Sequence, residues 1–157
     1  MTPTGTARRS FYNATSSPSV MLGGDTMVVG GSNQGTLYPL YRSYFDRKKS
    51  NPSPLDIDLS CSYDSSSRTG QLRIVVRNNS AGAVSGNLHT ALTESHIYYL
   101  WQGMDSLQHV ERTMLPDAGG EGINVPVADS VVRTRDFTIA PAWVARNIDF
   151  IVFVQNV

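Results

Sequence analysis

Hydrophobic residues recur at every second position through the latter two thirds of the chain. Leu55, Ile57, Leu59, Cys61 and Tyr63 form one series, Leu72, Ile74 and Val76 a second, and Leu88, Thr90 and Leu92 a third. A period of two places these side chains on one face of a pleated strand and their neighbours on the other. The pattern predicts strands at about 55–63, 70–78, 86–94, 121–127, 131–139 and 147–155. Asp64 to Thr69 and Asn78 to Gly86 are polar turns between the first three. Leu107 to Leu115 reads as a further strand or a short helix, and Pro141 to Arg146 as a helical turn joining the last two strands. Ile148 to Val154 is apolar on both faces, which calls for a central or covered strand. A region of about 100 residues with this pattern is mainly β, has the size of an immunoglobulin-like antiparallel β-sandwich, and can bury a core.

The segment before it is organised differently. Residues from Gly5 to Asn13 suit a short helix carrying Arg8, Arg9, Phe11 and Tyr12. Ser19 to Leu22 and Thr26 to Val29 flank Gly23-Gly24-Asp25, a β-hairpin signature because glycine accepts the positive φ of tight turns. Leu37, Leu40, Tyr41, Tyr44, Phe45 and Lys48 then follow helical spacing, with Ser32 or Asn33 as the expected N-cap and Pro39 in the first turns. Asn51-Pro52-Ser53-Pro54 stops the helix and stiffens the chain. The expected division is 1–51, a proline-rich linker at 52–54, and a β domain at 55–157.

Composition narrows the function. With 13 basic and 13 acidic residues the formal net charge is zero, which argues against nucleic acid as a partner. Arg47, Lys48 and Lys49 read as cations complementing the dipole at a helix C-terminus rather than as a phosphate site. A single cysteine, Cys61, cannot make an internal disulfide or a zinc site, and its place in the alternation predicts a buried structural thiol. No apolar run is long enough to span a bilayer, and Met1 to Ser10 lacks the apolar core of a signal peptide.

Candidate chemistry is sparse. His89, His96 and His109 have no tight metal-ligand spacing; Glu94 and Glu111 would join them only if the fold brought them together. Asp56 and Asp58 alternate with Ile57 and Leu59 and read as a solvated strand face rather than an acid–base pair. Asp117, Glu121 and Asp129 surround a glycine-rich loop without a calcium-binding spacing. Ser62 to Ser67 is a polar turn, and Gly-x-Ser-x-Gly, the phosphate-cradling glycine loop and His-Glu-x-x-His are all missing from the sequence. Asn13-Ala14-Thr15 and Asn78-Asn79-Ser80 fit the glycosylation sequon, a motif common by chance. Tyr98, Tyr99, Trp101 and Trp143 are expected to plug the ends of the β core, with a glycan- or protein-binding platform as the alternative. No catalytic, cofactor-binding or metal residue is assigned, and no cofactor is expected.

Arg9, Phe11-Tyr12, Pro18, the Gly-Gly-Asp turn, Val28-Val29-Gly30-Gly31 and the helix that closes the segment resemble the second half of a thioredoxin-like domain. Pro18 falls at that family's cis-proline position. Ser53-Pro54-Leu55-Asp56-Ile57, Leu88-His89-Thr90-Ala91-Leu92-Thr93-Glu94 and His109-Val110-Glu111-Arg112-Thr113-Met114-Leu115-Pro116 resemble the sandwich that follows this half-domain in the Omp28-related bacterial secreted and outer-membrane proteins. The resemblance implies a thioredoxin-like remnant, a β-hairpin plus helix at 1–51, ahead of the sandwich, and an extracellular or outer-membrane location. It does not imply redox activity, because a Cys-x-x-Cys would precede the hairpin and this sequence has none there.

A hairpin with one helix is not stable alone and leaves sheet edges unpaired. The expectation is a non-enzymatic extracellular or cell-surface structural or adhesion protein. It would self-assemble through the hairpin edge or the N-terminal arm, as the subunit of a filament. The alternatives are an accessory domain of a larger thioredoxin-like envelope protein and a carbohydrate-binding module.

Overall fold

A computed structural model describes every residue except Gln34, Gln102 and Val157, and of Trp101 only the backbone. The fold is mainly β and its sheets are antiparallel. Two compact units are distinguished by their internal contacts: Thr6–Ser53, and Pro54–Val157 together with Met1–Gly5.

The N-terminal elements are α1 (Pro3–Phe11), β1 (Ser19–Leu22), β2 (Thr26–Val29) and α2 (Tyr38–Lys49). β1 and β2 pair as the two-stranded hairpin expected from the glycines, with Gly23 at φ +62° and Gly24 at φ +82°. The Ser17–Pro18 peptide ahead of β1 is cis, as is Leu115–Pro116. α2 begins later than Ser32 or Asn33, the expected caps. Leu37 stands at the N-cap without a side-chain cap, and the Thr36 hydroxyl accepts the Tyr38 N–H at 3.1 Å. Pro39 explains the shift: it lacks an N–H and is tolerated only in the first turn, so it sets where the helix starts. Lys48, near the end of α2, forms an ion pair with Asp25 at the hairpin turn. That contact holds the Asp25 carboxyl below its usual range, with help from the Thr26 hydroxyl. No described residue between Thr6 and Ser53 is buried.

The second unit contains β3 (Leu55–Asp64), β4 (Thr69–Asn78), β5 (Val84–Glu94), β6 (Ile97–Trp101), β7 (Met104–Leu107), β8 (Val110–Leu115), β9 (Glu121–Val125), β10 (Ser130–Thr138) and β11 (Ile148–Gln155). All six strands expected from the alternation are present, and Leu107 to Leu115 resolves into a strand rather than a helix. The expected helical turn is a short 3-10 helix at Ala145–Asn147. One sheet has the order β10-β4-β3. In the other, β5 pairs with β11 on one side; on the other side β8 covers Thr90–Glu94 and β9 covers Val84–Leu88.

The two sheets bury a common core between them. Leu55, Leu72, Ile74, Val76 and Phe137 come from the first, and Leu88, Leu92, Ile123 and Val125 from the second. At about 25 cal/mol per Å² of apolar surface removed from water, such side chains supply the main drive for folding. Gly70 is required by packing: a Cβ there would lie 2.2 Å from the Ser62 carbonyl oxygen and 2.5 Å from the Phe137 ring. Its neighbours across the sheet, Tyr63 and Phe137, fill the space with stacked rings 6.2 Å apart.

Three expectations about burial fail, and the first concerns β11, which is an edge strand with Ile151 43% exposed and not the central or covered strand its apolar faces called for. Cys61 is exposed, not a buried thiol, because β3 is an edge strand and its inner face loses cover beyond Ile57. Tyr98 and Tyr99 do not plug the core. They belong to a separate β6–β7 hairpin, and Tyr98 is 78% exposed. Trp143 does pack, half-buried, against the core, whereas the side chain of Trp101 lies outside the described residues.

Candidate functional site

The two sides of the paired sheets are finished differently. On the β9–β10 side, Glu121 of β9 accepts hydrogen bonds from Arg133, at 2.5 Å, and from Arg135, both on β10. Burial disfavours the Glu121 carboxylate, but the two guanidinium groups outweigh it and hold its carboxyl below the ordinary value of 4.5.

The β3–β11 side has no such closure. Among the described residues β3 pairs with β4 alone and β11 with β5 alone, so each is an edge strand. Along β3 the side chains that point toward the other sheet run from buried Leu55 through half-buried Ile57 to Leu59, Cys61 and Tyr63, which are exposed. Leu59 is 43% and Tyr63 41% accessible. A cleft of about 270 Å³ opens there, lined by Cys61, Tyr63, Phe137, Ile139, Ile148 and Phe150. Its floor is aromatic, with Phe137 and Phe150 in edge contact at 4.8 Å. Partial burial pushes the Cys61 thiol up, so it is less ionised at neutral pH than a free cysteine.

The face of β3 turned away from this seam is acidic. β3 carries Asp56, Asp58 and Asp64 and no basic residue. Asp56 accepts a hydrogen bond from the Asn79 amide at 2.5 Å, and Asp58 pairs with Arg77 across the sheet. The Asp64 carboxyl is held below its usual range by the Ser66 backbone N–H at 2.8 Å and the Ser67 hydroxyl at 2.9 Å. Asp56 and Asp58 are exposed, as the alternation implied.

The remaining candidates are dispersed. His89 is buried and stacks on Phe153 at 4.9 Å. His96 and His109 occupy positive-φ turn positions, and the His109 ring lies 3.9 Å from an Asp149 carboxylate oxygen. Glu94 is buried; one oxygen accepts from Arg112 at 2.7 Å and the other from the Val144 N–H at 2.8 Å, while Arg112 lies over the Trp143 ring. Glu111 instead accepts the Thr4 hydroxyl at 2.6 Å and that of Thr2. The structure thus brings Glu94 to Arg112, and does not gather the histidines with either glutamate.

Asp117, Glu121 and Asp129 are separated in the same way. Asp117 accepts the Gly119 N–H at 2.7 Å, and Asp129 the Ser130 N–H at 2.7 Å. Among the described residues no group of three or more His, Cys, Asp or Glu side chains is placed to hold a metal ion. A larger cleft of about 720 Å³, lined by Gly70, Phe137, Leu92 and Leu115, also has Asp64 and Asp136 in its lining. Asp64 is committed to its own turn and Asp136 to Gln71. Among the described residues no helix is long and apolar enough to cross a membrane.

Sequence reasoning missed the seam and the β6–β7 hairpin. The hairpin had a signal: Gly103, at φ +82°, stands in the two-residue connection between Trp101 and Met104, which are paired. The seam had none, because alternation reports which face a side chain takes and not whether anything faces it. Comparison of the chain with protein-family models, curated proteins and solved structures finds no match.

Proposed function

We propose that this chain is a non-enzymatic structural or adhesion protein that works by self-assembly, as the subunit of an extracellular or cell-surface filament. The observation that carries the reading is the N-terminal unit, which buries none of its described residues and ends its two-stranded sheet in open edges. Such a unit is marginal in isolation and gains most from cover supplied by a neighbour. The β3 and β11 edge strands of the other unit add to the same reading.

Two facing antiparallel sheets support an immunoglobulin-like sandwich, and the order helix, hairpin, helix supports a thioredoxin-like remnant before it. The resemblance to Omp28-related proteins is the ground for the compartment. Light scattering over a wide concentration range, with negative-stain microscopy, tests the reading. Large homopolymers are the expected result, and a monomer at every concentration overturns it.

One observation favours a second reading, glycan binding. Tyr98, Tyr99, Leu100 and Met104 are all exposed on the β6–β7 hairpin, with Leu100 71% accessible. Aromatic faces of this kind stack on sugars or protein partners. Under that reading, glycan binding is lost in a Tyr98→Ala, Tyr99→Ala double variant while assembly is unchanged.

A further inference from the structure

The two units carry opposite charge. Thr6 to Ser53 holds six basic residues against two acidic, and the rest of the chain seven basic against eleven acidic. The overall neutrality therefore hides a net +4 on the first unit and −4 on the second. The positive charge is displayed: Arg47 and Lys49 are exposed at the end of α2, beside Tyr44 and the 53% accessible Phe45. The acidic unit has its uncovered apolar strip along β3, on a strand with three aspartates and no cation.

We infer that the β3–β11 seam is an acceptor site for the N-terminal unit of a second copy, taken up along the edge of β3 through the β1–β2 hairpin. The inference rests on the self-assembly reading and names its interface. Backbone groups explain the edge: a two-stranded hairpin has N–H and C=O groups free on both sides, and among the described residues β3 from Asp56 to Asp64 pairs with β4 alone. Side chains explain the place, since Leu59, Cys61 and Tyr63 of this strand lack cover. Charge explains the partner. Pairing β3 with β3 of another copy sets aspartates against aspartates, which is unfavourable across strands. Pairing it with the basic unit sets +4 against −4 and steers encounter. The contact is heterologous, so copies add head to tail, and a rotation that does not close gives a filament.

Cys61, the single cysteine, lies in the seam and reports its occupancy. Maleimide labelling of the full chain is followed while its concentration is raised through assembly, at low and high salt. Labelling is expected to slow about tenfold where assembly is complete, because only free seams react, and to recover as salt screens the charges. Two variants divide the interface. Leu59→Lys places a cation in the acceptor, and Arg47→Glu with Lys49→Glu reverses the donor. All three positions are exposed, so circular dichroism and urea midpoints should match the parent. Each variant alone is expected to associate at least about tenfold more weakly, whereas the two mixed should associate, because the parent donor of one then meets the parent acceptor of the other.

Assembly with Cys61 labelling unchanged overturns the seam and leaves the self-assembly reading standing. A mixture that stays monomeric overturns the head-to-tail arrangement. A parent chain that never associates overturns both. If Leu59→Lys fails to fold, the protection of Cys61 in the parent chain still decides the question.

Discussion

The N-terminal unit and the β unit use the same local signals to opposite ends. Both have strands, glycine turns and well-placed prolines, and both form hairpins or sheets where those signals fall. The β unit converts this into a core, with Leu72, Ile74, Val76, Leu88 and Leu92 buried between two sheets. The N-terminal unit has a hairpin and helices and buries none of its described residues. The difference is one of enclosure: two sheets cover each other's inner faces, whereas a hairpin of two four-residue strands offers one helix too little surface. Local order and burial are separate achievements, and only burial supplies most of the stability.

The contrast is sharpest in side-chain truncations. Leu92→Ala should cost about 3–5 kcal/mol in urea unfolding, because a cavity opens in the core. Phe45→Ala in α2, a larger truncation at an exposed site, should change stability by under about 0.5 kcal/mol. Equal losses would break the comparison.

The next effect is electrostatic and buried. Glu94→Ala should cost about 3 kcal/mol, since the Arg112 guanidinium and the Val144 N–H both lose their acceptor. Glu94→Gln should recover part of it by keeping an acceptor for one of them, again read from urea midpoints.

The smallest effect belongs to Glu121. Its side chain is one third accessible, so Glu121→Gln should cost under about 1 kcal/mol at neutral pH. The folded carboxyl titrates below the unfolded value of 4.5, so its contribution is complete above that value and is lost as pH falls through the folded one. Parent and variant should therefore converge in stability below pH 4.5. A gap that persists there would mean the contact is not ionic.

How far the sequence could be read follows the same division. Strands were legible at 55–63, 70–78 and 86–94 because a period of two is a local property of the chain. The fate of Leu59, Cys61 and Tyr63 was not, because they share that period with Leu72, Ile74 and Val76 and differ only in what faces them. Tyr98 and Tyr99 misled for a related reason. Aromatic content measures what a side chain could bury and says nothing of whether it finds a place to do so. The Glu94–Arg112 pair joins different strands, β5 and β8, and so depends on a register that no local pattern announces. β3 was half visible: Asp56 and Asp58 were read as solvated, but its place at the sheet edge is set by the strand order.

β5 is a rail on which three strands are hung, β11 along Asn87–Glu94 and β8 and β9 each along half of the opposite side. Because the two half-length zippers meet near His89 without overlapping, one can come undone while the other stays fastened. Loosening at Glu121–Val125 would bare only the first stretch of β5, leaving Thr90–Glu94 and the Glu94–Arg112 clasp shut. Loosening of this sheet can thereby be confined to one half of that side of β5.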